Sequence, residues 1–210
     1  MEKYFYAINY LVIIVFGIFF INKIKESLQI KLFLYFLIYS LFTEVVGGYV
    51  GRILGINNNW IYNTWNIVNH LFYAFFFMSF MVQTNKKRII KSFILLYVLF
   101  SLVSIFFINS YFDQVLINNI IVGSILIVLV ILLYYAELLN SDTILNINKS
   151  LVFWISIGAL LSNIVLIPVW VFAEFFSYQG IFRFFIIASN IIMSLSFITG
   201  FIVSKKEYNN

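Results

Sequence analysis

Two side chains able to give or take a proton stand in one stretch, Ser40 to Tyr73, which reads SLFTEVVGGYVGRILGINNNWIYNTWNIVNHLFY. Glu44 is the carboxylate placed in the middle of an apolar run, and His70 is the chain's sole histidine. Gly47, Gly51 and Gly55 recur between them at every fourth residue. A charge at the centre of a bilayer costs about 2.5–3.5 kcal/mol on insertion scales, so an intramembrane carboxylate marks a functional position by default. The chemistry that Glu44 and His70 offer is proton exchange, and the two are expected to share or pass a proton. General acid–base work on a lipid would be the enzymatic form of the same pair.

The elements that must hold these groups are apolar helices. Of the 210 residues, 63% are hydrophobic and 10% charged, and the mean hydropathy is +1.03. Soluble domains carry roughly 25% charged residues, so this composition belongs to a bilayer. Seven apolar runs approach or exceed the roughly 20 residues that a hydrocarbon core requires. They cover about 4–22, 32–54, 60–82, 89–109, 114–138, 150–175 and 181–203. These runs are too long for barrel strands. The expected fold is all-α: a single-domain, polytopic bundle of seven transmembrane helices. The first run ends at Lys23 and Lys25 with no small-residue cleavage site, so it reads as a span rather than a signal peptide.

Loop charge sets an expected orientation. With the N-terminus outside, the inner segments hold ten of the 13 basic residues, and the outer ones hold Lys3, Arg52 and Arg183. That asymmetry fits the positive-inside rule, with the C-terminus inside and the chain in the inner membrane of a bacterium. The same scattering of cations between apolar runs argues against nucleic-acid binding, despite the net charge of +5.

Counting helical rise from the span ends puts Glu44 and His70 near the bilayer centre, each about 15 Å deep. Asn163 and Asn190 reach the same depth from the sixth and seventh runs. Asn66 and Asn69 share the His70 face at helical spacing. Polar groups in lipid must face the protein interior, so the second, third, sixth and seventh spans are expected to enclose one polar core, with the first and fourth facing lipid. The glycine run is expected to let a neighbouring backbone approach, either that of the third span or that of a second copy. At the outer mouth Arg52, Glu174 and Arg183 form either a vestibule for an anionic group or a Glu174–Arg183 ion pair across the turn. The plainer alternatives are asparagines that hydrogen-bond between helices and a histidine satisfied in the core.

Several functions fail for want of residues. No lysine lies between Lys149 and Lys205, which removes a retinal Schiff base. One histidine and no cysteine cannot build a histidine-rich zinc site, and neither a metal nor any other cofactor is expected. Asp113 and Asp142 fall at loop edges, away from where an intramembrane aspartyl protease needs its pair. Val122-Gly123-Ser124-Ile125 is too little to match a rhomboid-type Gly-x-Ser-Gly.

Thr43-Glu44, Gly51, Asn57-Asn58, Tyr62-Asn63 and the segment Asn69 to Tyr73, with the helix count, resemble bacterial seven-helix membrane proteins of uncharacterised function. More loosely, they resemble the seven-span sensor modules found beside histidine kinases. The resemblance implies a fold and no substrate or catalytic residue. Since the loops are too short to hold a soluble domain, the expected function is a receptor-like or sensory component that binds a small ligand and acts through a membrane or cytoplasmic partner protein. A proton-coupled carrier using Glu44, a lipid-modifying enzyme, and an accessory subunit or homo-oligomer are the alternatives.

Overall fold

A computed structural model of the chain describes residues 4–24, 26–108, 110–173 and 180–209, excepting the side chains of 142, 143 and 173. The described residues form helices and no strands. The long helices are α1 (Phe5–Phe19), α2 (Leu28–Arg52), α3 (Asn59–Ser79), α4 (Thr84–Val103), α5 (Ile117–Leu138), α6 (Leu151–Ala173) and α7 (Ile181–Val203). Each expected run is therefore a helix, but five of them, α2, α4, α5, α6 and α7, are long and apolar enough to cross a membrane by length and composition. The other two differ for separate reasons. α1 has 15 residues, about 22 Å at the rise of an α-helix, and a short 3-10 turn, Ile21–Lys23, continues it. α3 has 21 residues, but Asn63, Asn66, Asn69 and His70 lower its hydropathy, and Asn63 and His70 are buried against neighbouring helices.

Helices α1, α2, α3, α5, α6 and α7 pack as a closed ring in that order, sealed by the contact of α1 with α7. α4 lies outside the ring against α3 and α5. The expected four-helix core is thus a six-helix one, and α1, expected to face lipid, is part of it. The outer surface of the ring and of α4 is strongly apolar, with Phe19, Leu99, Phe107 and Leu195 among its exposed side chains. Such a surface suits lipid as its surroundings, and the chain is a multi-pass membrane protein.

Both ends of the ring are clasped. At the upper end, defined by residues 53–58 and 110–116, α3 binds the α4–α5 loop. Asn63, buried on the first turns of α3, donates from Nδ2 to the carbonyls of Tyr111 and Gln114, both at 2.8 Å. Its Oδ1 accepts the Leu116 N–H at 3.0 Å, at the start of α5. Asn57 and Asn59 add bonds to the Asp113 carbonyl. The lower end ties the α1–α2 and α5–α6 loops to the segment after α7. Lys23 Nζ donates to the Ile202 carbonyl at 2.6 Å. Asn209 accepts from the Leu151 N–H at 2.9 Å and donates to the Lys23 carbonyl. Glu26 pairs with Lys206 at 2.6 Å on the surface. Lys86, Lys87, Arg88, Lys91, Lys149 and Lys205 belong to this end as well.

The lower half of the ring is filled with aromatic rings. Phe33, Phe77, Phe197 and Phe201 are fully buried. Phe36 stacks on Phe72 with centroids 4.0 Å apart and planes 7° from parallel, and Phe33 meets Phe197 edge to face at 5.2 Å. Offset-stacked and edge-to-face pairs are worth about 0.5–1.5 kcal/mol each beyond area burial. This plug gives the ring a solid floor on which the upper half rests.

Asn63 is the residue on which the upper clasp depends. Asn63→Leu removes three hydrogen bonds and leaves the buried Leu116 N–H without its acceptor. It should lower unfolding stability by about 2–4 kcal/mol, while Asn59→Leu, at the exposed edge of the clasp, should cost less than about 1 kcal/mol. Denaturant titration of the two variants in the same detergent measures the difference.

Candidate ligand-binding cavity

Above the aromatic floor the ring encloses a cavity of about 130 Å³, lined by residues from all six of its helices. Tyr10 comes from α1, Phe36 and Leu37 from α2, Ile120 and Ser124 from α5. α3 contributes Trp65, Asn66, Asn69, His70 and Tyr73; α6 contributes Ser162, Asn163 and Trp170; α7 contributes Ile186 and Asn190. Helical spacing puts Asn66, Asn69, His70 and Tyr73 on one side of α3. The structure thus brings together Asn66, Asn69, His70, Asn163 and Asn190, the sequence-predicted residues of three different helices.

The lining is mostly apolar, with amides, hydroxyls and an imidazole set among it, and carries no carboxylate, lysine or arginine. Asn163 and Asn190 each donate one amide N–H to the carbonyl a turn earlier, that of Ala159 at 2.7 Å and that of Ile186 at 2.9 Å. An asparagine side chain has two donor hydrogens and an acceptor oxygen. Each of the two therefore keeps a second N–H and a carbonyl oxygen for another partner. The Trp65 indole is tied to Ser40 on α2 at 3.0 Å, which fixes its ring at the cavity wall.

His70 is buried and held from the side opposite α2. Its Nδ1 lies 3.1 Å from the Tyr97 hydroxyl of α4, and its ring fills the space over Gly123 of α5. A methyl group on Gly123 would come within 2.5 Å of Nδ1 and 2.6 Å of Cδ2. Gly123 and Tyr97 were not among the residues expected from the sequence. Gly123 does carry a signal there, because Gly123-Ser124 is the small pair in an otherwise bulky α5; Tyr97 lies among leucines with nothing to set it apart.

Glu44 does not join this cavity. It is half-buried in a second cleft of about 220 Å³ between α1 and the upper part of α2, with Tyr4, Tyr6, Gly48, Tyr49 and Arg52. Its Oε2 accepts from the Tyr62 hydroxyl at 3.5 Å. The expected meeting of Glu44 with His70 is not formed: the two face different helices and line different spaces.

The glycines act differently from the expectation. Gly47 leaves room for the Tyr62 ring, whose Cζ lies 2.9 Å from where a methyl would stand, and Gly51 leaves room for the Asn58 amide, with Cγ at 2.9 Å. Both seat side chains of the α2–α3 corner rather than a bare backbone. Asn58 is bonded in place to the Gly47 carbonyl at 2.8 Å. Gly55 packs against nothing and has φ of +66°, so it is a turn residue. Of the expected outer mouth, Arg52 lines the α1–α2 cleft, Arg183 is exposed on the first turn of α7 and does not line it, and Glu174 lies outside the described residues.

The seat of His70 can be tested by a double-mutant cycle. Gly123→Ala should destabilise the fold by about 1–3 kcal/mol through overpacking against the imidazole. In a His70→Ala background the same substitution should cost markedly less, since the ring it strikes is gone. Equal costs in both backgrounds, read by thermal or denaturant unfolding, would place the strain elsewhere.

No protein family matches the chain, and no curated protein or solved structure is significantly similar to it.

Proposed function

We propose that this membrane protein binds a small, neutral, polar molecule in the ring cavity and serves as a receptor-like component acting through a partner protein. The observation that carries this reading is a cavity within the ring, lined by four asparagine amides, one imidazole and two indoles among apolar side chains, with no ionic group in its lining. Neutral amides offer donors and acceptors to an uncharged ligand and cost little to desolvate compared with ions. The size matches: an engineered cavity of about 150 Å³ takes up benzene, so about 130 Å³ suits a ligand of one small ring. The aromatic floor favours binding over passage, because a carrier needs a polar route on both sides of its site. Glu44, the expected coupling residue of a carrier, lies outside the cavity, which further favours the receptor. All seven helices are read as spanning the bilayer. The cation-rich lower end then faces the cytoplasm of a bacterial cell, which puts the N-terminus and the cavity in the outer half.

Trp65 and Trp170 line the cavity and serve as reporters. A panel of small uncharged amides, nucleobases and hydroxylated rings, added to the purified protein, should include a compound that shifts tryptophan emission saturably. Asn163→Leu, which fills the space and removes an amide, should weaken that compound by tenfold or more, about 1.4 kcal/mol. Saturable uptake of the same compound into proteoliposomes would replace the receptor with a carrier. A panel that produces no saturable shift in the wild type would remove the ligand reading.

A further inference from the structure

The buried face of α4 carries more polarity than its link to His70 uses. Ile90, Ile94, Tyr97 and Ser101 are the buried residues of this helix, at spacings of four, three and four that keep them on one side. Ser101 is 4% exposed, and its hydroxyl stands beside that of Tyr97 without a hydrogen bond of ordinary geometry. On α5, Asn119 in the first turn is 1% exposed. Neither its Nδ2 nor its Oδ1 has a hydrogen-bond partner among the described residues.

Register brings these side chains to one level. Tyr97 of α4 and Gly123 of α5 both meet the Nδ1 edge of His70. α4 rises toward the upper end and α5 descends from it, so Ser101 and Asn119 each stand one turn, about 6 Å, above that meeting point. Side chains four residues apart share a helix face, and α4 and α5 pack against each other and against α3. Phenol, hydroxyl and amide thus border one space behind His70. Ile120 and Ser124, the adjacent strip of α5, line the ring cavity, whereas Asn119, Ser101 and Tyr97 do not.

This lining restricts what can fill the space. An apolar group would leave the donor and the acceptor of the Asn119 amide unsatisfied, at about 1–3 kcal/mol for each. An ion finds no opposite charge on these three side chains. Water both donates and accepts, and at a buried site it takes two to four hydrogen bonds. Asn119 offers a donor and an acceptor, and the two hydroxyls can serve as either.

We propose that Asn119, Ser101 and Tyr97 hold water between α3, α4 and α5, and that solvent reaches the outer edge of His70 through it from the upper rim, without crossing the ring cavity. The path is short, about 9 Å by helix rise from Ile117 to Gly123. The site stands whatever the ring cavity binds, and a ligand seated there does not block it.

The sole histidine gives one imidazole signal in protein isotope-labelled at histidine nitrogen. Exchange of its N–H with water, read by NMR on the full chain in lipid bilayers, tests the proposal; the exchange swaps one hydrogen for another and changes no charge. Asn119→Leu and Ser101→Val each fill the space and remove a partner. Each should slow the exchange by about tenfold or more, the scale of one lost hydrogen bond. A variant that loosened the fold would speed the exchange, so slowing does not arise from misfolding. Asn163→Leu, which fills the ring cavity, should leave the rate unchanged. X-ray hydroxyl-radical labelling gives a second reading, because water split in place marks its neighbours: Tyr97 should be labelled in the wild type and protected in Asn119→Leu. A rate indifferent to Asn119→Leu and Ser101→Val overturns the proposal, and a rate that falls with Asn163→Leu instead brings solvent in through the ring cavity. A wild-type Tyr97 that stays unlabelled overturns it as well.

Discussion

Burying an amide away from water without a partner costs free energy that folding has little margin to spare, and that penalty governs where the asparagines of α3, α6 and α7 end up. A helix in lipid satisfies its own backbone, but its polar side chains must turn toward other protein groups. In this chain they turn to two places. Asn63 and its neighbours close the upper end by bonding the loop before α5, and Asn66, Asn69, Asn163 and Asn190 converge on the ring cavity. The same helix α3 supplies both groups, and it packs against α2, α4 and α5.

The polar upper half depends on a rigid lower one. Stacked and edge-to-face rings from α2, α3 and α7 fill the ring beneath the cavity, and close-packed interiors transmit strain instead of absorbing it. His70 occupies the boundary between the two halves and reaches outward to Tyr97. It is thus a polar link between the cavity wall and α4, the helix that stays outside the ring. In the function proposed above, His70 is the side chain that joins the cavity wall to α4, near whose start lie Lys86, Lys87 and Arg88.

Much of this could be read from the residues. Long apolar runs identified the helices, and depth counting placed His70, Asn163 and Asn190 at one level, where the structure joins them in one cavity. Depth alone misled for Glu44: two groups at equal height on neighbouring helices can still face opposite ways. Rotation about a helix axis is set by packing, and α2 places Glu44 in its cleft with α1, where the Tyr62 hydroxyl of α3 donates to it. The Gly-xxx-Gly spacing carried real information about close packing, but spacing does not say whether a backbone, a phenol or an amide fills the gap. The role of α1 was hidden for another reason. Its single cavity residue, Tyr10, follows Asn9, whose amide donates to the Asn190 carbonyl of α7 at 3.5 Å, but one asparagine in an apolar run makes no stripe that reveals an inward face. The short length of α1 and the polarity of α3 show that seven helices need not be seven equal spans.

The contact that seals the ring joins the first long helix to the last. Membrane helices are delivered to the bilayer in chain order during synthesis. Until α7 arrives, the structure is an open trough, with Asn163 on one wall and Asn66 and Asn69 on another, all facing lipid. The cavity is therefore the last feature of the protein to come into being. Any delay between α6 and α7 leaves the amides seeking partners, whether water drawn into the membrane or the asparagines of another unfinished chain. The amides that line the finished cavity are, during assembly, the protein's point of greatest exposure to mispairing.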